Sequence, residues 1–199
     1  MPIDYKDTST QVSQREVFAR NLLARLYRGY VEARIRRELK DSQRILDVGC
    51  GEGILLENLS RQYPDKTLAG VDLSPENVRI CRELGLDVTL SDASDLKLPA
   101  GSFDACVMMS VLEHVEDPGA ALREARRVLA PGGRLIVVEY GTDRGNPWVP
   151  HPISYETWEA LAQRNGFART VRLATRPSRF LGQIYSALSL APAHPPAGV

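Results

Sequence analysis

The 199-residue sequence is poor in cysteine and histidine, with three of each, and it has no excess of charge of either sign. Cys50, Cys81 and Cys106 are odd in number and form no C-x-x-C pair. That excludes a disulfide framework and leaves zinc without its usual ligand spacing, so the three read as reduced, buried thiols of a cytoplasmic protein and no metal site is expected. No run approaches the roughly 18 uninterrupted apolar residues of a membrane span. The opening segment MPIDYKDTSTQVSQ lacks the apolar core of a secretory signal. Zero net charge offers no broad electrostatic footprint for duplex nucleic acid, and no nucleic-acid partner is expected.

What is present is unevenly spread. Residues 15–40 carry eight basic and three acidic side chains, residues 160–199 five basic and none acidic, and the middle, 41–159, 11 basic against 20 acidic. Two basic ends flanking an acidic centre could attract an anionic substrate or surface if they meet in space; otherwise they are solvated faces.

Residues 1–14 read as a flexible start. Phe18, Leu22, Leu26 and Val31, with Leu23, Tyr27, Tyr30 and Ile35, place an apolar stripe on a helix over 15–39, with arginines opposite. From Arg44 short apolar runs alternate with helical patterns. The runs are 44–49, 67–73, 87–92, 103–109 and 134–140. The helices are 53–62, 75–84, at most a turn at 93–96, and 118–129. Such alternation predicts an α/β fold, a doubly wound, mostly parallel sheet of about seven strands with helices on both faces. Pro131-Gly132-Gly133 reads as a turn between the 118–129 helix and the fifth strand. A loop follows over 141–153, then a helix over 154–165 capped by Ser154 and closed by Gly166. A strand is expected over 167–175 and a turn at Arg176-Pro177-Ser178, while 179–190 fits strand or helix. The proline-rich tail 191–199 is expected to be disordered. One domain over 15–190 accounts for the chain, with 15–40 as a lid helix, 41–140 as a binding core and 141–190 on the acceptor side.

The strongest local signal is Asp47-Val48-Gly49-Cys50-Gly51-Glu52-Gly53, where a buried strand ends in a glycine-rich turn and a helix begins. Glycine lets backbone approach a ligand and adopt positive φ, and the helix start presents unpaired N–H groups. By itself the loop suits a dinucleotide, a nucleoside or a tight packing turn. Two details oppose a nicotinamide dinucleotide: Ile54 stands where that fingerprint needs a small residue, and Asp47 precedes the first glycine, where a carboxylate suits positive charge rather than a pyrophosphate.

Asp47 to Gly53 resembles the first motif of class I S-adenosylmethionine-dependent methyltransferases. Asp72, 19 residues beyond Gly53, the Asp92-Ala93 pair, the segment 102–118 and LAPGGRLIVVEY are similar in register. The resemblance covers roughly residues 40–175. It implies a cofactor, S-adenosyl-L-methionine, leaving as S-adenosyl-L-homocysteine, bound by Asp47, Gly49, Cys50, Gly51, Gly53, Asp72, Leu73, Asp92, Ala93, Ser110 and Val111. Asp72 would accept the ribose hydroxyls, since Ser74 before Pro75 already caps the next helix. Asp92, or its neighbour Asp95, would reach the base, and Leu73 and Val111 would sandwich it, unless Val111 is plain core. The Asn/Asp-Pro-Pro-Tyr motif of nucleic-acid amino methyltransferases is absent, because Met109-Ser110-Val111-Leu112 occupies its place.

An activated sulfonium methyl needs a nucleophile held in line, and a base only where the acceptor must lose a proton. His194 lies in the tail. His114 follows the fourth strand and is either a base or an orienting residue. His151 follows the fifth, near Tyr140, Trp148 and Tyr155. The expected reaction is methyl transfer to oxygen or nitrogen of a small organic acceptor by a monomer or homodimer. Two alternatives stay open: a lipid or quinone precursor met at a membrane surface by the basic first helix, and a non-catalytic binder.

Overall fold

The computed structural model describes residues 22–141, 149–178 and 182–193. The first helix, α1 (Leu22–Glu38), leads to β1 (Arg44–Val48), α2 (Ile54–Gln62), β2 (Thr67–Asp72), α3 (Pro75–Glu83) and β3 (Val88–Leu90). Next come β4 (Phe103–Met109), a 3₁₀ turn at Leu112–His114, α4 (Pro118–Val128) and β5 (Leu129–Gly141). The chain closes with α5 (Tyr155–Arg164), β6 (Arg169–Ser178) and β7 (Gly182–Leu190). The seven strands form one sheet in the order β3-β2-β1-β4-β5-β7-β6. All pairs up to β5 are parallel, and β7 runs antiparallel between β5 and β6.

The expected α/β sheet of about seven strands is therefore present. Strand order reverses between β1, which leads outward to β2 and β3, and β4, which leads the other way. Beyond the carboxyl ends of these strands lies the crevice in which open α/β sheets bind ligands. Central strands are apolar on both sides because both faces are covered. Val31, Ile35 and Leu39 from the first helical segment meet Ile45, Leu55, Leu59, Ala105, Val107, Ile136 and Val138 on one face. Leu56, Val78 and Cys81 extend that layer beside β3. On the other face α4 and α5 bury Leu122, Ala125, Val128, Trp158 and Ala162 against Leu46, Cys106 and Val137. All three cysteines are buried and none is in a disulfide, as their sparse spacing suggested.

Several sequence expectations need correction. The helix predicted from residue 15 is described from Leu22, and Phe18 and the earlier residues lie outside the described part. In its stripe Val31 and Ile35 are buried, whereas Leu26 and Tyr30 are 63% and 54% exposed. Pro131-Gly132-Gly133 does not separate helix from strand. The chain turns extended at Leu129 itself, and the glycines make a register irregularity within a 13-residue β5. A Cβ on Gly133 would meet the Ala130 carbonyl at 2.8 Å, so the bulge requires glycine there. Asn165 is the last cap of α5, with Gly166 following at φ 87°. Arg176-Pro177-Ser178 is strand rather than turn, and the ambiguous segment after it is β7. In the expected disordered tail, Ala191 N–H donates to Gly133 and Pro192 accepts from Gly132, so pairing continues past β7; residues 194–199, with His194, lie outside the described part.

The two basic segments do meet. Arg34 of α1 donates to the Leu173 carbonyl of β6 at 2.6 Å. The contact is made to backbone, while Arg36 pairs with Glu32 and Arg172 with Glu156.

Candidate functional site

The glycine loop is held by backbone on its inner side. Gly49 and Cys50 N–H groups donate to Val71 at 2.8 and 3.0 Å, and Gly53 N–H to Cys50 at 3.0 Å. Gly49, Gly51 and Gly53 all have left-handed φ, 67°, 56° and 73°. A side chain there is strained whatever the space, and at two of the three there is none. A Cβ on Gly49 would meet Val111 Cγ2 at 2.5 Å, and one on Gly53 would meet Leu86 Cδ1 at 2.5 Å and Cys81 Sγ at 2.8 Å. Close packing of protein on protein, and not only approach of a ligand, explains the glycines. Gly53 caps α2 without any side-chain hydrogen bond, leaving the helix start facing the loop.

Asp72 ends β2 beside this loop and is buried. Its Oδ2 accepts from Gly51 N–H at 2.8 Å, and its Oδ1 from Ser74 N–H at 2.9 Å and Asn77 Nδ2 at 3.0 Å. Ser74 caps α3, accepting from Asn77 N–H, as expected from Ser-Pro. The carboxylate thus ties the glycine loop to the start of α3, a structural duty beside the Ser74 cap that sequence reading had set aside in favour of ribose binding. Leu73 beside it is 40% exposed, an apolar surface at the carboxyl edge of the sheet. Asp47 lies buried at the end of β1.

At the next strand Ser91 N–H donates to the Asp72 carbonyl, which keeps the β3 exit beside the β2 exit. Exposed Asp92 then accepts from Ser94 N–H at 2.8 Å, and half-buried Ala93 lies between them. Asp95 is ion-paired with Lys97 at an exposed position. Of the two acids named for the base, Asp92 is therefore the one whose partner is local backbone.

Across the switch point Ser110 leaves β4 with φ 55°, alone among described non-glycine residues in the left-handed region, and donates to the Val138 carbonyl. Val111 is buried with its side chain against Gly49. His114 is half-buried in the following 3₁₀ turn, its Nε2 3.4 Å from Glu113 Oε1. Burial, only partly offset by nearby Glu139, holds the His114 imidazole below its ordinary pKa, so it is neutral at pH 7. His151 is exposed and donates its backbone N–H to the Glu113 carbonyl at 3.1 Å. Both histidines are thus gathered around Glu113. Half-buried Tyr140 and Tyr155 lie in the same region, and Trp148 is outside the described residues.

Sequence reading missed Glu113 and Glu139. Both are buried to 2% exposure or less, and Glu139 Oε1 accepts from Val111 and Leu112 N–H groups at 3.1 Å each. Their only sequence signal was a charged residue inside otherwise apolar strand and turn segments.

Residues 46–137 match the family model described as a methyltransferase domain. Together with the strand order, this makes residues 46–137 similar to a methyltransferase domain on a fold shared with solved S-adenosylmethionine-dependent methyltransferases. Nearer relatives narrow the comparison. The chain is 42% identical over 115 residues to the ubiquinone biosynthesis O-methyltransferase of Xanthomonas oryzae pv. oryzae, which covers 54% of this chain and 46% of that protein. The chain spans about half the length of the curated relatives it matches. Among solved structures it is similar to an S-adenosylmethionine-dependent methyltransferase of Thermotoga maritima, at 21% identity and TM-score 0.66, covering 88% of this chain and 98% of that one. It is also similar to the [4+2]-cyclase SpnF, at 23% identity and TM-score 0.63, covering 76% of each chain. A cyclase on this fold shows that architecture alone does not name the reaction.

Proposed function

We propose that this chain is an S-adenosylmethionine-dependent O-methyltransferase whose acceptor is a small phenolic precursor of a quinone. The observation that carries the cofactor assignment is the junction of the three left-handed glycines with Asp72, at the crevice between β1 and β4. The residues fit the group: a buried carboxylate ends β2, an exposed leucine follows it, and a helix start without a side-chain cap faces the loop. Asp72 would take the ribose hydroxyls while keeping its bond to Gly51 N–H. Leu73 and Val111 would flank the base, with Asp92 and Ala93 at its edge. Asp47, Gly49, Cys50, Gly51, Gly53 and Ser110 would line the rest.

S-adenosylmethionine supplies a methyl group already activated on a sulfonium. The protein's own work is to hold an acceptor oxygen in line and remove its proton. Neutral His114 is the base we assign, since it lies beside β4 and is kept unprotonated by burial. Charge then passes to an imidazolium close to the Glu113 carboxyl. His151 is exposed and is assigned to the pocket rim. Oxygen as the acceptor atom, and the quinone-precursor class, rest on the printed function of the Xanthomonas relative.

Calorimetric titration with S-adenosylmethionine, S-adenosylhomocysteine and NADH tests the assignment, followed by labelled methyl transfer to simple catechols. The expected result is micromolar binding of both sulfur nucleosides, none of NADH, and label on a phenolic oxygen. Asp72→Ala should weaken S-adenosylhomocysteine binding about a hundredfold, because charged hydrogen bonds of about 1.5–3 kcal/mol each are lost. It should also destabilise the loop, since three internal hydrogen bonds leave with the carboxylate. Binding without transfer to any phenol would sink the enzyme reading, and unchanged affinity in Asp72→Ala would sink the ribose assignment.

A further inference from the structure

Two carboxyl groups are buried together where the acceptor side meets the cofactor side. Glu139 belongs to β5 and bonds the amides of Val111 and Leu112 in the turn after β4. Glu113 belongs to that turn and reaches back, its Oε2 accepting from Tyr140 N–H of β5 at 3.4 Å. Each segment therefore supplies a carboxyl to the backbone of the other. Glu139 Oε2 meets no N–H or hydroxyl donor among the described residues. The Glu139 carboxyl as a group interacts with the Glu113 carboxyl. Two carboxyl groups in contact bond only across a proton, since neither has another to donate.

We propose that Glu113 and Glu139 are positioning residues which, holding one proton between them, clasp the turn after β4 to β5 and thereby set Val111 against Gly49 and His114 and His151 at the reaction side. The clasp works through three contacts. Val111, whose amide is one of those held, is the side chain packed against Gly49 of the cofactor loop. His114 follows Glu113 directly and lies 3.4 Å from its carboxyl. His151 is tied to the Glu113 carbonyl. Ionising the second carboxyl would place two buried like charges in contact and open the clasp.

The surroundings favour a retained proton. From β5 comes Tyr140, from β7 Tyr185, which is paired with Glu139 in register, and from α5 Tyr155, edge-on to Tyr185 at 5.7 Å. Tyr140 and Tyr185 are both pushed above the ordinary tyrosine value, chiefly by burial, so they stay neutral. Arg172 of β6 lies over Tyr155 and is paired with Glu156, not with the clasp. The α4 helix turns apolar residues toward this cluster. Burial pushes Glu113 up to about 7 and Glu139 well above the carboxylate range, the latter helped by the charge of Glu113. On passing about 7 the pair gives up the first of its two protons and keeps the other between the carboxyls. Because both values are raised on folding, the pair stabilises less as pH rises, and the clasp itself opens at the second, higher ionisation.

The role in setting the site rests on the methyltransferase reading, whereas the clasp itself is tested on ligand-free protein. The test compares wild type, Glu139→Gln and Glu139→Ala in thermal midpoint and in S-adenosylhomocysteine affinity from pH 6 to 10. Gln keeps an oxygen for the two amides and brings its own N–H to Glu113, so it needs no shared proton. Wild type should hold its affinity through pH 7 and then lose it by up to about tenfold per pH unit as the second proton leaves, the limit for one proton, and its midpoint should fall by about 5 °C across that step. Glu139→Gln should keep the low-pH affinity and stay flat, and Glu139→Ala should be weakened at every pH. If Glu139→Gln declines as wild type does, or Glu139→Ala matches wild type throughout, the proposal is overturned. Should Glu139→Ala fail to fold, wild type against Glu139→Gln still decides. Should no variant bind the nucleoside, the functional reading fails while the midpoints still judge the clasp.

Discussion

In the half of the sheet from β3 to β1 the candidate site is made of backbone. In the half from β4 to β6 it is made of buried side chains. The glycine loop takes its shape from main-chain bonds to Val71 and from left-handed φ angles, with the Asp72 carboxylate bonded to its Gly51 amide. The β4–β6 half depends on Glu113, Glu139 and their polar surroundings, brought together from a 3₁₀ turn, a long strand and an antiparallel hairpin. A loop shaped by backbone can hold the invariant part of a ligand, here the proposed nucleoside, with little dependence on pH. A pocket shaped by buried carboxyls can tune a proton, at the cost of sensitivity to it.

Changes on the two sides should therefore separate binding from turnover. The largest effect is expected from Gly49→Ala, whose new Cβ meets Val111 Cγ2 at 2.5 Å from a left-handed backbone. Strain and overpacking together should cost about 3 kcal/mol in unfolding experiments, with nucleoside affinity falling with the displaced Val111. Full retention of both would mean that the loop and the turn after β4 are not in contact. His114→Ala should lower kcat for a phenolic acceptor about a hundredfold, the low end for general-base removal, while nucleoside affinity stays within about twofold. A matching loss of affinity would recast His114 as part of the binding half. The smallest effect is expected at the opposite edge of the sheet, where Lys66 Nζ donates to the carbonyls of Leu39, Lys40 and Ser42 at the end of α1. Lys66→Met should cost roughly 1 kcal/mol of stability, as loss of a helix C-terminal cation does, and leave both binding and kcat unchanged. Any change in kcat would show that the halves are coupled through α1.

Legibility in the sequence followed the same division. Strands β1, β2 and β4, the Ser74 cap and the glycine loop could be read because each rests on neighbours within a few residues: an apolar run, a capping hydroxyl, a glycine. The bulge at Gly132-Gly133 was misread as a turn, because a Pro-Gly-Gly run has the same composition whether it ends a strand or bends one. Hairpin β6–β7 was only half read, since a strand that closes a sheet edge is defined by its partner. Glu139 drew no notice inside RLIVVEY, where a single carboxylate in a strand is ordinarily a solvated end.

By itself the sequence determined the alternation of strand and helix, the parallel core and the left-handed glycine turn after β1, because periodicity, capping and glycine φ are local physics. The tertiary structure alone decided that β7 enters between β5 and β6, and that the two basic segments touch through Arg34. It also decided that Asp72, expected to accept ribose hydroxyls, is bonded to the glycine loop itself. Above all, it put two glutamates 26 positions apart into one buried pair. Burial and carboxyl contact are properties of the packed chain, and no spacing along the sequence encodes them.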